Sequence, residues 1–376
     1  MGLRRLIVEI DTATVNVAEF CRLHGVSTWF FWDLRRRFDS EGEAALSPKS
    51  RAAHRVANKT PLEIEDRIVA KRKELTDAGL DAGAATIRWH LQDIVGLPSE
   101  TTIWRILTAR GFITPEPAKA PKTAGRSFQA ERANDCWQID DTFWALADDT
   151  EVKILNVLDD HSRLLANSTA LESCTGAAAL EAVADGAALL GWPARFLSDN
   201  ARAFRHVLAP ALAELGVGAG HSRPYHPQTN GKVERFHQTL KHWLAGQPPA
   251  ADLAELQIQL DIFRFIYNHQ RPHRSHPGRT PAQVWTTAPK SGPADRPLTG
   301  PAQVHRARVY NGCFWIKRRY RISVGAAHND QHVLAVITGT ACQVFTNGRL
   351  IRAFTLDPTR TGQPLHPRRG RPPQLP

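Results

Sequence analysis

The sequence predicts a multidomain protein with a helical arm, a mixed α/β core and a small C-terminal β-barrel. Three observations predict it. Apolar residues recur at helical spacing up to residue 113, strand-like runs lead into alternating helices and strands over 130–290, and short alternating strands with two Asn-Gly pairs fill 300–358. Between the first two parts, residues 114–129 open with "TPEPAKAPKTAGR" and read as a linker. Residues 359–376, "TRTGQPLHPRRGRPPQLP", read as a disordered basic tail.

In the arm (1–113), the stretch 16–38, "NVAEFCRLHGVSTWFFWDLRRRF", sets Val17, Phe20, Cys21 and Leu23 along one helix. His24-Gly25 breaks it, and Ser27 is placed to cap a second helix through Phe38. Helix, glycine turn and capped helix make the pattern of a helix-turn-helix, although a plain αα-hairpin gives the same pattern. As a recognition helix, the second one would carry Arg35, Arg36 and Arg37 toward DNA. The cadence recurs over 62–112, where Ser99 or Thr101 is placed to cap a helix bearing Arg105.

The core opens with three strand-like runs, "CWQIDDTFWAL", "EVKILNVLDD" and "RLLANSTAL". A helix over "TGAAALEAVADGAALLG" follows, then a short strand, "ARFLSDN", running into Asp199. "FRHVLAPALAELG" is a helix that Pro210 breaks or kinks. Pro227 or Asn230 opens the next helix, in which Val233, Phe236, Leu240, Trp243 and Leu244 form one apolar stripe. Glu234, Gln238 and Lys241 share a neighbouring face, joining an acid, an amide and a base over two turns. "DLAELQIQLDIFRFIYNHQ" is a further helix. In the last part, Asn-Gly pairs at 311–312 and 347–348 mark tight hairpins, and Lys317, Arg318 and Arg319 lie between strands.

Charge narrows the function classes. The net charge of +11 favours a polyanionic partner. Residues 291–376 hold 13 basic against 3 acidic side chains, whereas 131–290 hold 15 against 18, so the flanks suit an anion and the middle concentrates carboxylates. No apolar run approaches the roughly 18 residues of a membrane span, and the start lacks a sustained apolar signal, which argues for an intracellular protein. The 5 cysteines are scattered and odd in number, which indicates neither a disulfide framework nor a zinc knuckle. Carboxylates from separate elements, Asp140 on the first strand, Asp199 at a strand end and Glu234 on a helix, are suited to hold Mg²⁺ or Mn²⁺. Two such ions about 4 Å apart serve phosphodiester chemistry. Spacing alone leaves Asp141, Asp159 and Asp160 as rivals.

The motifs "WQID" (137–140), "LDDHSR" (158–163), "SDN" (198–200), "RPYHPQTNGKVERFHQTLK" (223–241) and "YNHQRPH" (267–273) carry a resemblance. Over roughly 130–290 the chain resembles bacterial insertion-sequence transposases with a retroviral-integrase-type catalytic core. The resemblance implies a ribonuclease-H-like fold, a D,D,E triad at Asp140, Asp199 and Glu234, and two Mg²⁺ or Mn²⁺ ions per site. It further implies cleavage at the ends of a mobile element and joining of the freed 3′-hydroxyls to target DNA. Double-stranded DNA and a homo-oligomer, dimer or tetramer, would be the partners, in the bacterial cytoplasm at the nucleoid. Arg202, Gln238 and Lys241 become candidate DNA contacts beside the arm and tail bases. Ala201 stands where the family usually has glycine. Three rivals stand beside this reading: a ribonuclease-H-like nuclease, a helix-turn-helix regulator with a decayed core, and a tyrosine recombinase, which would need a nucleophilic Tyr although Tyr225, Tyr267, Tyr310 and Tyr320 lie in no accompanying Arg/His constellation.

Overall fold

The computed structural model describes residues 2–48, 59–114, 129–221, 231–293 and 302–365. Tyr225, Pro227, Asn230, most of the linker and the tail from 366 lie outside the described residues. The chain divides into two compact units, Met1–Thr60 and Pro61–Pro376.

The first unit holds α1 (Leu3–Glu9), α2 (Val17–Leu23) and α3 (Thr28–Glu41). Asn16 caps α2 by accepting from the N–H groups of Ala18 and Glu19, and Ser27 caps α3 by accepting from Phe30. Gly25 makes the turn between them at φ +64°, a left-handed position that suits a residue without Cβ. Ile7, Phe20, Cys21, Phe31 and Leu34 are the buried centre. Helix α1 is an addition to the sequence reading, and Ile7 is what docks it.

The second unit opens with α4 (Leu62–Asp77), α5 (Ala84–His90) and α6 (Glu100–Ala109), packed through Ile68, Leu75, Ile87, Ile103 and Leu107. Ser99, rather than Thr101, caps α6. The strands β1 (Cys136–Ala145), β2 (Glu151–Asp159), β3 (Leu165–Leu171), β4 (Arg195–Ser198) and β5 (Gly218–His221) then build one mixed sheet in the order β3-β2-β1-β4-β5. β1, β2 and β3 form an antiparallel meander, whereas β4 pairs parallel to both β1 and β5. One face, with Trp137, Ile139, Leu155 and Val157, packs on α7 (Gly176–Leu190). That helix presents Ala179, Ala182, Val183 and Ala187, small side chains that let it lie close. The other face, with Val152, Ile154 and Leu158, packs on α9 (Gly231–Ala245) and α10 (Leu253–His269). Helix α10 also covers the edge strand: Asn268 pairs with the N–H and C=O of Leu165, and Gln257 with Ala170 N and Ser168 O.

Between β4 and β5 the chain makes a π-turn, Phe204–Leu208, before α8 (Ala209–Glu214). Pro210 has no N–H to give, so the preceding turn widens, which is the form its break takes. Strand β5 and α11 (Pro281–Thr287) were not foreseen. The Gly-rich "GAGH" has no apolar alternation. For α11 the signal was present, because Thr280 and Gln283 form a capping box with Pro281 at the first position.

The C-terminal part is two sheets over one core, not a closed barrel. β6 (Gln303–Arg308), β9 (His332–Thr338), β10 (Ala341–Thr346) and β11 (Arg349–Thr355) form the first, in the order β11-β10-β9-β6. β7 (Cys313–Ile316), β8 (Tyr320–Ser323) and β12 (Gly362–Gln363) form the second. Val309, Phe314, Ile322, Val333, Ala335 and Val344 meet between them. Among the described residues no strand pairing joins the two sheets, so both keep free edges. Asn311-Gly312 and Asn347-Gly348 take the expected left-handed turns. The second turn leans on the core, and a Cβ built on Gly348, at φ +75°, runs into Val207. Gly348→Val is therefore expected to destabilise the protein by about 2 kcal/mol or more, through overpacking and left-handed strain. A urea midpoint equal to wild type would show that this turn swings clear without cost.

Candidate active site

Asp140 and Asp141 are adjacent on β1 and therefore point to opposite faces of the sheet. Asp141 lies on the α7 face, where Lys153 Nζ pairs with it at 2.6 Å. Asp140 lies on the α9 face, with His237 Nδ1 at 4.0 Å from its carboxylate. Parallel pairing sets Gln138 of β1 opposite Leu197 of β4. Two residues further along in each case, Asp140 lies within β1 and Asp199 directly follows β4, its parallel neighbour in the sheet. β1 is where strand order reverses, the position at which open α/β sheets form a crevice.

The stripe expected on α9 is the face it buries: Val233, Phe236, Leu240, Trp243 and Leu244 all lie in the interior. Glu234 sits in the first helical turn, exposed, with Gln238 exposed and Lys241 half-buried along the same flank. Burial raises the Asp140 carboxyl to about 7, and the charges of Asp199, Asp141 and Glu234 push the same way against the N–H of Asp141. Asp140 thus feels the charge of both other expected carboxylates. Their all-oxygen donor set fits a hard divalent cation. As placed, among the described residues, no three His, Cys, Asp or Glu side chains stand close enough to hold a metal ion.

The rival aspartates Asp159 and Asp160 have their oxygens occupied by protein partners. Asp159 is fully buried and accepts from Asn134 N, Ser162 N and Ser162 Oγ at 2.6–2.7 Å. Asp160 is also fully buried and bonded to Gln138, Ala130 and Lys232. Sequence reasoning missed His237. Burial, then the charge of Lys241, lowers its pKa to about 4, so it faces Asp140 neutral, and its buried Nε2 has no hydrogen-bond partner. Its spacing of i+3 from Glu234 was the available signal.

The expected DNA contacts divide. Arg35 donates to the carbonyls of Ile7 and Ile10, which ties α3 to α1 and occupies the guanidinium. Arg37 pairs with Glu41 and is nearly buried, whereas Arg36 is exposed beside Asp33. Trp29 and Trp32 stand 71% and 52% exposed on α3, a face that the run of arginines does not reveal. Arg105 and Arg202 are exposed. Lys317, Arg318 and Arg319 form the exposed tip of the β7–β8 hairpin, with Lys317 and Arg318 at φ +48° and +55°.

Carboxylates at a sheet crevice under a helix are what the sequence motifs lead one to expect of an integrase-type core. Residues 215–281 match the family model of the integrase core domain. The insertion element IS476 uncharacterized 39.2 kDa protein of Xanthomonas euvesicatoria is 30% identical over 160 residues, 40% of this chain and 44% of that protein. The match therefore spans less than half of that relative. Among solved structures, the simian T-cell lymphotropic virus intasome with PP2A regulatory subunit B56 gamma aligns at 20% identity and TM-score 0.39, over 72% of this chain and 95% of that one. The HTLV-2 integrase catalytic core domain in complex with magnesium aligns at 18% identity and TM-score 0.34, over 43% of this chain and 99% of that one. The resemblance to insertion-sequence transposases with an integrase-type core is borne out. Among the described residues no helix is long and apolar enough to cross a membrane.

Proposed function

We propose that the chain is a DNA transposase that cleaves strands at the ends of a mobile element and joins the 3′-hydroxyls to target DNA. What supports this reading is geometry: Asp140 on β1, Asp199 directly after the neighbouring parallel strand β4, and Glu234 on α9, whose His237 lies 4.0 Å from the Asp140 carboxylate. Asp140 and Asp199 would hold divalent metal directly, and Glu234 would complete the set. Bound there, Mg²⁺ or Mn²⁺ supplies charge stabilisation to the displacement at phosphorus. The chain's own residues orient and exclude. Val233 and Phe236 seat the first turns of α9 on the sheet, and neutral His237 fills the space beside Asp140 without a competing positive charge. Gln238 and Lys241 face the solvent flank where a DNA end would lie. In this reading the arm (1–113) selects the element ends, the core (130–290) does the chemistry, and the β part (300–358) grips backbone, with copies of the chain assembling on DNA.

The test is joining of a labelled end-sequence oligonucleotide to a target duplex, with and without Mg²⁺. Metal-dependent joining is expected. Cleavage without joining would make the protein a nuclease, and binding with neither would make it a regulator.

The hairpin tip gives a second measurement. Left-handed backbone costs a Lys or Arg about 1–2 kcal/mol, and Asn-Gly suits such a turn far better. Lys317→Asn with Arg318→Gly should therefore raise the melting temperature while weakening duplex binding. The slope of log affinity against log salt should flatten by about 0.9 for each phosphate that the variant no longer neutralises. A stabilised variant with an unchanged slope would remove these bases from the DNA interface.

A further inference from the structure

We propose that Asp160 is a positioning residue for the carboxylate site, holding the strand that carries Asp140 and the helix that carries Glu234 in register. The proposal rests on the reading of Asp140, Asp199 and Glu234 as the reacting site. Asp160 lies in the turn after β2 and is fully buried. Its Oδ1 accepts from Gln138 Nε2 at 2.6 Å, from Lys232 Nζ at 2.7 Å and from Arg163 Nη1 at 3.5 Å. Its Oδ2 accepts from Ala130 N at 2.7 Å, and its own N–H donates to Cys136 O at 2.9 Å. Gln138 precedes Asp140 by two residues on the same face of β1. Lys232 precedes Glu234 by two residues in the first turn of α9. One carboxylate therefore bonds both to the strand of one expected ligand and to the helix of another.

Stability alone is a poor reason for such a cluster. A buried ion pair costs so much desolvation that apolar residues of similar size often serve as well or better. What it supplies is direction. The stripe from Val233 to Leu244 fixes the face α9 presents, but apolar contacts tolerate small slides, and the first turn of a helix frays most easily. A charged hydrogen bond of defined length from Lys232 fixes where that first turn sits, and Glu234 belongs to that turn.

The experiment compares wild type, Lys232→Met and Lys232→Arg as full-length, metal-free protein. Hydrogen exchange of the α9 amides at 235–238 reads the tether, and calorimetric titration with Mn²⁺ reads the site. Lys232→Met keeps the aliphatic stem and removes the charge. Exchange at 235–238 should speed roughly tenfold, the scale of one charge-assisted hydrogen bond, with α10 amides unchanged and Mn²⁺ affinity weakened by a similar factor. Lys232→Arg, which retains a charged donor, should keep both properties near wild type. It also serves as the folded control, whereas Asp160→Asn should shift both readouts in the direction of Lys232→Met. Exchange and affinity both within twofold of wild type would overturn the proposal. So would faster exchange with unchanged affinity, since Asp160 would then be structural only. Asp199→Asn separates the two ideas. If that change leaves Mn²⁺ affinity intact, the carboxylate reading fails, and exchange alone then decides whether Asp160 tethers α9.

Discussion

Glu234→Gln is expected to cut strand cleavage by about a thousandfold or more, while metal-free binding of an end-sequence duplex stays near wild type. The substitution nearly preserves volume, and Glu234 is exposed, so the buried stripe of α9 should pack unchanged. What is lost is charge. A neutral amide is a far poorer ligand for Mg²⁺ than a carboxylate. If Glu234 is such a ligand, its loss would remove several kcal/mol of transition-state stabilisation, and each 1.36 kcal/mol is a factor of about ten in rate. A glutamate that is merely solvated beside Arg235 and Lys232 predicts no change in either property. Cleavage and binding by the folded variant, with Asp199→Asn run beside it, decide between them. Retained cleavage by Glu234→Gln would sink the metal-ligand reading and the transposition mechanism with it.

The parts of the molecule legible in the sequence are those where a local pattern meets a single physical demand. The stripe from Val233 to Leu244 is legible because a 3.6-residue period has one buried solution, and that face is buried. Asn347-Gly348 is legible because few residues accept two successive left-handed positions, and φ values of +47° and +75° are found there. Ser27 is legible as a cap because a short hydroxyl ahead of an apolar run answers an orphan N–H. What escaped depends on tertiary partners. "GAGH" is a strand because β4 offers it a parallel edge, not because of its own side chains. A small barrel or sandwich was expected from short alternating strands with Asn-Gly turns, but whether the sheet closes is a matter of pairing between distant edges, which alternation does not encode.

The site was divided in the same way. The motif resemblance pointed to Asp140, whereas spacing alone left Asp141, Asp159 and Asp160 as rivals. In the folded chain their surroundings differ: Asp141 pairs with Lys153 on the α7 face, Asp159 is bonded to Asn134 and Ser162, and Asp160 to Gln138, Lys232 and Ala130. Arg35 illustrates the reverse. Three consecutive arginines on one helix look alike in a sequence, but helical rotation aims the first at the carbonyls of α1. His237 escaped because its one signal, the i+3 spacing from Glu234, is shared by many ordinary helical histidines.

Asp140→Asn is expected to make the metal-free protein more stable near pH 8 while abolishing cleavage. The Asp140 carboxyl is raised from 3.8 to about 7 in the folded chain, first by burial and then by Asp199. Below about pH 4 both folded and unfolded chains hold the proton, and Asp140 costs the fold nothing. Between about 4 and 7 the unfolded chain releases its proton and the folded chain retains it, so stability falls as pH rises. Above about 7 the loss is complete. At 1.36 kcal/mol per pKa unit its upper bound is about 4 kcal/mol, reduced where solvent reaches a side chain that is 22% exposed. Asparagine does not titrate, so the variant should melt with wild type at pH 4 and several degrees above it at pH 8. Added Mg²⁺ should narrow the gap by stabilising wild type, because a cation bound by ionised Asp140 and Asp199 favours the folded state. Paired melting curves across pH, with and without Mg²⁺, provide the measurement. A variant less stable than wild type at pH 8 would mean that Asp140 is held by partners that favour its charge, and that its carboxylate does not wait for a cation.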